Sequence, residues 1–341
     1  MNVVYLIGNG FDLNLGMRTK WEHFYAYLDS CHAVLSPSIE NLMSTVKTEK
    51  NKQNWSDFER ELGKYLGTLE DIDEAVQLHD ELIEHLQKYL EIEESIYIFD
   101  KGSRERLFQY LKNPQESGFL PNERKEFERH ILERPNVVWN IKLITFNYTS
   151  SIERIINGYA PRMSIGGNMR GSNTGLEMEH VHGFTNNRMI LGVNDISQIF
   201  NENFHNESRI IDRYIKSDCN STYGLGHADK CKEWISDANL ICVFGLSFGE
   251  TDKKWWNEIG DALCRNCNVI LFEHNLKTFN KNQGPQLKEQ KNILKDKFLS
   301  KVNLNLDADF KKAVKEKIFV SYNTDMFKFD VTKEEKKHIK Y

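Results

Sequence analysis

Short apolar runs, several of them followed by a polar turn and then a helical pattern, constrain this chain most. The first run, "NVVYLI" (2–7), ends at Gly8 and suits a buried strand. From Thr19, expected as an N-cap, helical spacing takes over through Trp21, Phe24, Tyr25 and Leu28. Residues 36–135 read as mostly helical. Within 66–96, Leu69, Ile72, Val76, Leu82, Ile83, Leu86 and Leu90 form an apolar stripe beside a solvated acidic face. After Pro135 strands are expected again at 137–149, 179–183, 188–193, 238–248, 268–275 and 317–323. Helices, including 150–157 and 251–264, separate several of them, and the Gly-, Asn- and Ser-rich 161–178 is expected as a loop. The alternation predicts an α/β layer with a mainly parallel sheet and a large helical insertion.

The 341 residues suffice for one large domain or two modest ones. A formal net charge of −5 provides no global attraction for nucleic acid or anionic lipid. No apolar run approaches the roughly 20 residues of a membrane helix, and no secretory signal pattern is evident, so a cytoplasmic location is expected. Cys264 and Cys267 form a lone C-x-x-C, half of a structural zinc set, and ordinary reduced thiols are expected. Residues 277–317 carry eleven lysines against five acids, which reads as a solvated basic helical face rather than a nucleic-acid groove.

Ligands of open α/β sheets bind beyond the carboxyl ends of the strands. Four polar motifs occupy such ends: "GNGFD" (8–12), "FNYT" (146–149), "HVHG" (180–183) and "GLSFGETD" (245–252). Gly8 and Gly10 permit a sharp turn with N–H groups close to an anion, although the third glycine of the usual dinucleotide fingerprint is missing. Asn147 can both donate and accept, as a ribose hydroxyl or a positioned water requires. His182 is the candidate for proton transfer near neutral pH, with Gly183 leaving room beside it. His180 reads better as a structural histidine, and no metal set is complete around the pair. Gly245 and Ser247 end a strand, and Ser247 can bond a ribose or phosphate. Glu250 and Asp252 are expected to cap the next helix.

Together with "NWSDFERELG" (54–63) and "ILGVND" (190–195), these motifs resemble, in order, those of the AbiH family of bacteriophage abortive-infection proteins. That pattern is in turn similar to the sirtuin-like NAD-binding fold. The resemblance implies a Rossmann-like core from 1–30 and 136–330, a helical insertion over 31–135 and a charged tail at 331–341. It implies cofactor contacts from Gly8, Asn9, Gly10, Asp12, Gly183, Gly245 and Ser247, and a catalytic pair of Asn147 and His182. Phe11-Asp12 departs from the sirtuin pattern, as does "TFNYT", and no four-cysteine zinc module is visible, so lysine deacylation is not expected.

The implied activity is an antiviral NAD glycohydrolase that releases nicotinamide, with NAD as its ligand and no metal. Asn147 would hold ribose and water in line, and His182 would accept a proton. Asp12 would stabilise developing positive charge or merely fix the turn. Trp55 is expected to pack, and Asp57 and Glu59 receive no role. A nucleotide sensor for NAD or ADP-ribose and, more remotely, a nuclease are the alternatives. A phage-derived trigger, a partner defence protein or a homo-oligomer would be the partners, with no membrane involved.

Overall fold

Residues 1–31, 34–47, 55–115, 118–132, 138–167, 173–223, 226–265, 267–274, 277–302 and 308–334 are described by a computed structural model of the chain. Its strands are β1 (Asn2–Ile7), β2 (Tyr97–Phe99), β3 (Trp139–Thr145), β4 (Met163–Gly167), β5 (Asn173–His180), β6 (Leu240–Phe244), β7 (Asn268–Glu273), β8 (Ile318–Tyr322) and β9 (Val331–Lys333). Seven form one sheet in the order β4-β5-β3-β1-β6-β7-β8, parallel throughout except for edge strand β4; β2 and β9 pair separately and antiparallel. The chain thus starts mid-sheet, builds outward through β3 and β5, then crosses back to build outward through β6, β7 and β8.

That central position explains the unbroken apolar sequence of β1, since both of its faces are covered. Val3, Tyr5 and Ile7 pack with Leu107, Leu111 and Phe127 from the helices Ser103–Lys112 and Pro121–Leu132. Val4 and Leu6 face the opposite layer, built on Trp234 of His227–Ser236, Trp256 of Lys253–Arg265 and Phe298 of Gly284–Lys301. A third core joins the helices Trp21–Ser30, Pro37–Lys47, Trp55–Tyr65 and Ile72–Ser95 to Met189, Leu191 and Val193 and to Tyr214. The helices within 31–135 therefore divide between two cores: those up to Ser95 build the third, and those after it cover the sheet.

Several expectations change. The stretch 161–178 is not a loop throughout, because it holds β4 and β5. In β5, Thr174, Leu176, Met178 and His180 are buried while their neighbours are not, a period-two pattern that the preceding Gly and Asn residues obscure. Residues 188–193 are apolar because they enter the third core. They form no strand, and only Val193 makes an isolated bridge, to Ile215. Lys20, not Thr19, caps Trp21–Ser30; the Thr19 hydroxyl instead donates to Asn9 Oδ1 at 2.6 Å. Lys291, within the basic 277–317, is buried, donating to Gly118 O and pairing with Glu123. Residues 168–172 of the expected loop, Asn54 and Pro135, and residues 335–341 of the expected tail lie outside the described residues.

Candidate functional site

Ladder register brings the strand ends level. Ile7 pairs with both Thr145 and Phe244, and Thr145 pairs with His180. Asn9, Asn147 and His182 each lie two residues beyond one of these aligned ends, and Gly245 lies one beyond its own. Four loops distant in sequence therefore converge on one cavity of about 280 Å³. Asn9, Gly10, Asp12, Asn147, His182, Gly245 and Ser247 line it, with Trp21, Trp55 and Tyr148 among its apolar walls. Gly8 and Gly183 are not in its lining.

The glycines of the first turn serve close packing between two loops. A Cβ on Gly10 would lie 2.4 Å from Gly245 Cα, and one on Gly8 would lie 2.5 Å from the Leu246 side chain. Gly245 itself has φ +71°, a conformation that side chains disfavour. The Gly8 N–H donates to Phe244 O and the Gly10 N–H to Gly245 O, both at 2.9 Å. Both amides thus have protein acceptors and join β1 to the loop after β6. Gly183 (φ +68°) allows the tight turn in which Phe184 bridges Asn187; its Cβ would sit 1.9 Å from Arg188 O.

Three polar atoms on the cavity-lining residues are buried without a hydrogen-bond partner: Asp12 Oδ1, Asn147 Oδ1 and His182 Nδ1. Asp12 lies in the short helix Gly10–Asn14 that follows β1, and Asn147 and His182 lie on the loops after β3 and β5. Asp12 Oδ2 accepts from the Thr149 hydroxyl at 2.7 Å. Burial raises the Asp12 pKa to about 7, while the hydroxyls of Thr149 and Ser151 pull it the other way. The Asn147 backbone N–H donates to Thr145 Oγ1 at 3.1 Å, which fixes the loop that carries its side chain.

His182 Nε2 lies 3.1 Å from Asp252 Oδ1. Lys216 Nζ donates to that same oxygen at 3.1 Å and to Glu59 Oε2 at 2.8 Å. Thr251 Oγ1 also donates to Glu59 Oε2. Burial and the Lys216 charge lower the His182 pKa, so the ring is neutral at pH 7. Although burial opposes it, the Lys216 ammonium together with His182 holds Asp252 well below the usual carboxylate range. Burial lifts Glu59 to about 7, against the pull of Lys216. With Asp252 ionised and accepting, the His182 proton resides on Nε2, and Nδ1 presents its lone pair.

Other candidates sort by their partners. His180 Nε2 lies 2.7 Å from Glu153 Oε1 and Nδ1 3.3 Å from Asn147 O, so that ring is tied into the scaffold. Trp55 combines packing against Trp21 and Phe58 with a 2.9 Å hydrogen bond from Nε1 to Thr19 O. Glu250 and Asp252, expected to cap the next helix, stand in the turn directly before Lys253–Arg265, and each also forms an ion pair with a lysine from a neighbouring element, Lys301 and Lys216 respectively. Lys216 escaped the sequence reading because it lies in no motif: "YIKSD" is a lysine between an apolar pair and a helix. Glu59 and Asp252 did lie in motifs, but their chemistry depends on that lysine.

Among the described residues, no group of three or more His, Cys, Asp or Glu is placed to hold a metal ion, and no helix is long and apolar enough to cross a membrane. No curated protein matches the chain. The family model for the bacteriophage abortive infection protein AbiH matches residues 4–274, a span that takes in all four site loops. The chain belongs to the AbiH family.

Proposed function

We propose that this chain acts in phage defence by hydrolysing the nicotinamide–ribose bond of NAD at the cavity beyond β1, β3 and β6. The observation that carries this reading is the set of unpartnered Asp12 Oδ1, Asn147 Oδ1 and His182 Nδ1. With Asp12 ionised, all three are acceptors, and unpartnered acceptors on residues lining one cavity suit a ligand rich in hydroxyl donors, such as a ribose, together with a positioned water. The strand order supports the same reading. In chain order the six parallel strands lie 3-2-1-4-5-6, as in doubly wound dinucleotide-binding folds, and the cavity sits where the order reverses. The cavity volume, about 280 Å³, is near the lower end of the roughly 300–1,000 Å³ usual for ligand pockets. It is nearer the size of one nucleoside than of a whole dinucleotide, so the nicotinamide riboside half is the part to be enclosed.

In the reaction, water adds to C1′ of the ribose as the bond to nicotinamide breaks through an oxocarbenium-like state. Nicotinamide leaves as a neutral molecule with the bonding electron pair, so a strong general acid is not required. The proton released by water passes to His182 Nδ1. Asn147 holds ribose and water in line, and the Asp12 carboxylate stabilises the positive charge on the sugar.

The test is incubation of the purified chain with NAD, with nicotinamide and ADP-ribose measured in parallel for His182→Ala and Asn147→Ala. Release by the parent chain and its loss in both folded variants is the expected result. Saturable NAD or ADP-ribose binding without release would sink the hydrolase and leave a nucleotide sensor. Metal-dependent degradation of nucleic acid would replace both readings with a nuclease.

A further inference from the structure

Three side chains outside the reacting set form a relay behind His182 from three different elements. Asp252 comes from the turn Glu250–Asp252, Lys216 begins the helix Lys216–Thr222, and Glu59 comes from Trp55–Tyr65 in the helical part of the chain. They form a continuous chain of contacts: His182 Nε2 to Asp252 Oδ1 at 3.1 Å, Lys216 Nζ to that oxygen at 3.1 Å, and Lys216 Nζ to Glu59 Oε2 at 2.8 Å. Glu59 is 3 % exposed and Lys216 7 %, so water does little to screen the charges. A lysine buried against two carboxylates costs more in desolvation than an apolar side chain of its size would, so stability alone gives no reason for it.

We infer that Lys216, anchored by Glu59, is a positioning residue that fixes the ionised Asp252 against Nε2 and so holds His182 neutral, with Nδ1 free toward the cavity. This rests on the proposed role of His182 as the base. Two effects combine in one lysine. Its hydrogen bond keeps the Asp252 carboxylate in place as the acceptor for Nε2–H, which selects the tautomer. Its charge opposes a second positive charge on the ring, offsetting the attraction that Asp252 alone would exert. Tyr148, whose ring lies 6.4 Å from that of His182, is a further titratable group facing it; burial raises its pKa well above the usual value, so it stays neutral. Phe146 flanks the imidazole without charge, 5.6 Å away.

The test is ¹⁵N NMR of the full chain labelled at its histidine rings, with the His182 signals assigned by their loss in His182→Gln. The ring shifts report tautomer and titration without any turnover, so they remain readable whether or not NAD is cleaved. In the parent chain His182 is expected as the neutral Nε2–H form from pH 6.5 to 8. In Lys216→Met its titration midpoint is expected to rise by at least one unit, tenfold in proton affinity. Glu59→Gln, which leaves the Lys216 charge in place, is expected to leave the midpoint unchanged or lower it. The near-isosteric Asp252→Asn keeps the test open if Lys216→Met does not fold: the fixed Nε2–H tautomer is expected to give way to Nδ1–H or a mixture. An unchanged midpoint in folded Lys216→Met overturns the inference. So does an upward shift in Glu59→Gln equal to that in Lys216→Met, or an unchanged tautomer in Asp252→Asn. Absence of nicotinamide release from the parent chain, with these shifts present, overturns the hydrolase reading alone.

Discussion

Asp12 and Thr149, 137 residues apart in the chain, are joined by a 2.7 Å hydrogen bond across the ends of β1 and β3. The bond satisfies one carboxylate oxygen and leaves the other, Oδ1, buried without a hydrogen-bond partner. A carboxylate held this way destabilises the fold when it is charged.

Its cost depends on pH with a definite sign. The folded-state pKa, about 7, stands above the reference 3.8. The native state therefore binds the proton more tightly than the unfolded chain does, and Asp12 contributes stability that is fully present below pH 3.8 and lost as pH rises to 7. Three units correspond to on the order of 4 kcal/mol. Asp12→Asn is expected to raise the urea midpoint at pH 8 and to change it much less at pH 4. Equal shifts at both values would show that the carboxyl group is not the source.

Turnover should depend on pH in the opposite direction. Asp12 becomes anionic above about 7, while His182, its pKa lowered by burial and by Lys216, is already neutral there. The rate of nicotinamide release is expected to rise between pH 6 and 8 with one apparent midpoint near 7, and Asp12→Asn should flatten that limb as well as slow the reaction. A midpoint that survives in Asp12→Asn would assign the limb to another group.

The two histidines two residues apart should behave differently. His182→Ala removes the proposed base and is expected to lower turnover by about 10²- to 10⁴-fold with the fold intact. His180→Ala removes the partner of Glu153 instead, at a cost of about 1–3 kcal/mol in stability, and its effect on turnover should be smaller than that of His182→Ala. Denaturant titration beside initial rates separates them.

At the loop junction, the contact between Gly10 and Gly245 leaves no space for a methyl group. Gly10→Ala is expected to destabilise by about 1–3 kcal/mol through overpacking. Gly245→Ala should cost more, because a strained φ adds to the clash. Gly284→Ala, where nothing lies within 4 Å of the added carbon, is the neutral comparison in the same urea titration.

The sequence made the scaffold legible where a run of apolar residues had one reading. The "NVVYLI" run and "ANLICVFGLSF" contain the central strands β1 and β6, because both lie in the middle of the sheet and are apolar on both faces. Residues 173–178 of β5 read as loop, with only its end falling in the strand expected at 179–183, because its signal is alternation, half of it polar, next to a Gly- and Asn-rich stretch. The apolar 188–193 misled for the opposite reason, since burial in a helical core leaves the same composition as burial in a sheet. In the site, the four loop motifs were visible because strand ends announce themselves, and their convergence follows from register. The Lys216–Asp252–Glu59 chain was not, because an ion pair between residues far apart leaves no local pattern. Asp252 next to a helix start and Lys216 in a polar stretch each have an ordinary local explanation until they are placed side by side.

The placement of β1 between β3 and β6 also fixes when the site can exist. During synthesis β1 is made first, yet its partners at 139–145 and 240–244 come much later, with Asn2 pairing opposite Asn140 and hydrogen-bonded to Asn239. Contacts across such separations form late, after the intervening chain has been made. A nascent chain that stops short of Gly245 has neither the loop that packs against Gly10 nor the carboxylate that contacts His182. Translation products that stop there therefore lack part of the cavity lining, and the order of the strands delays the site until residues 245–252 have been made.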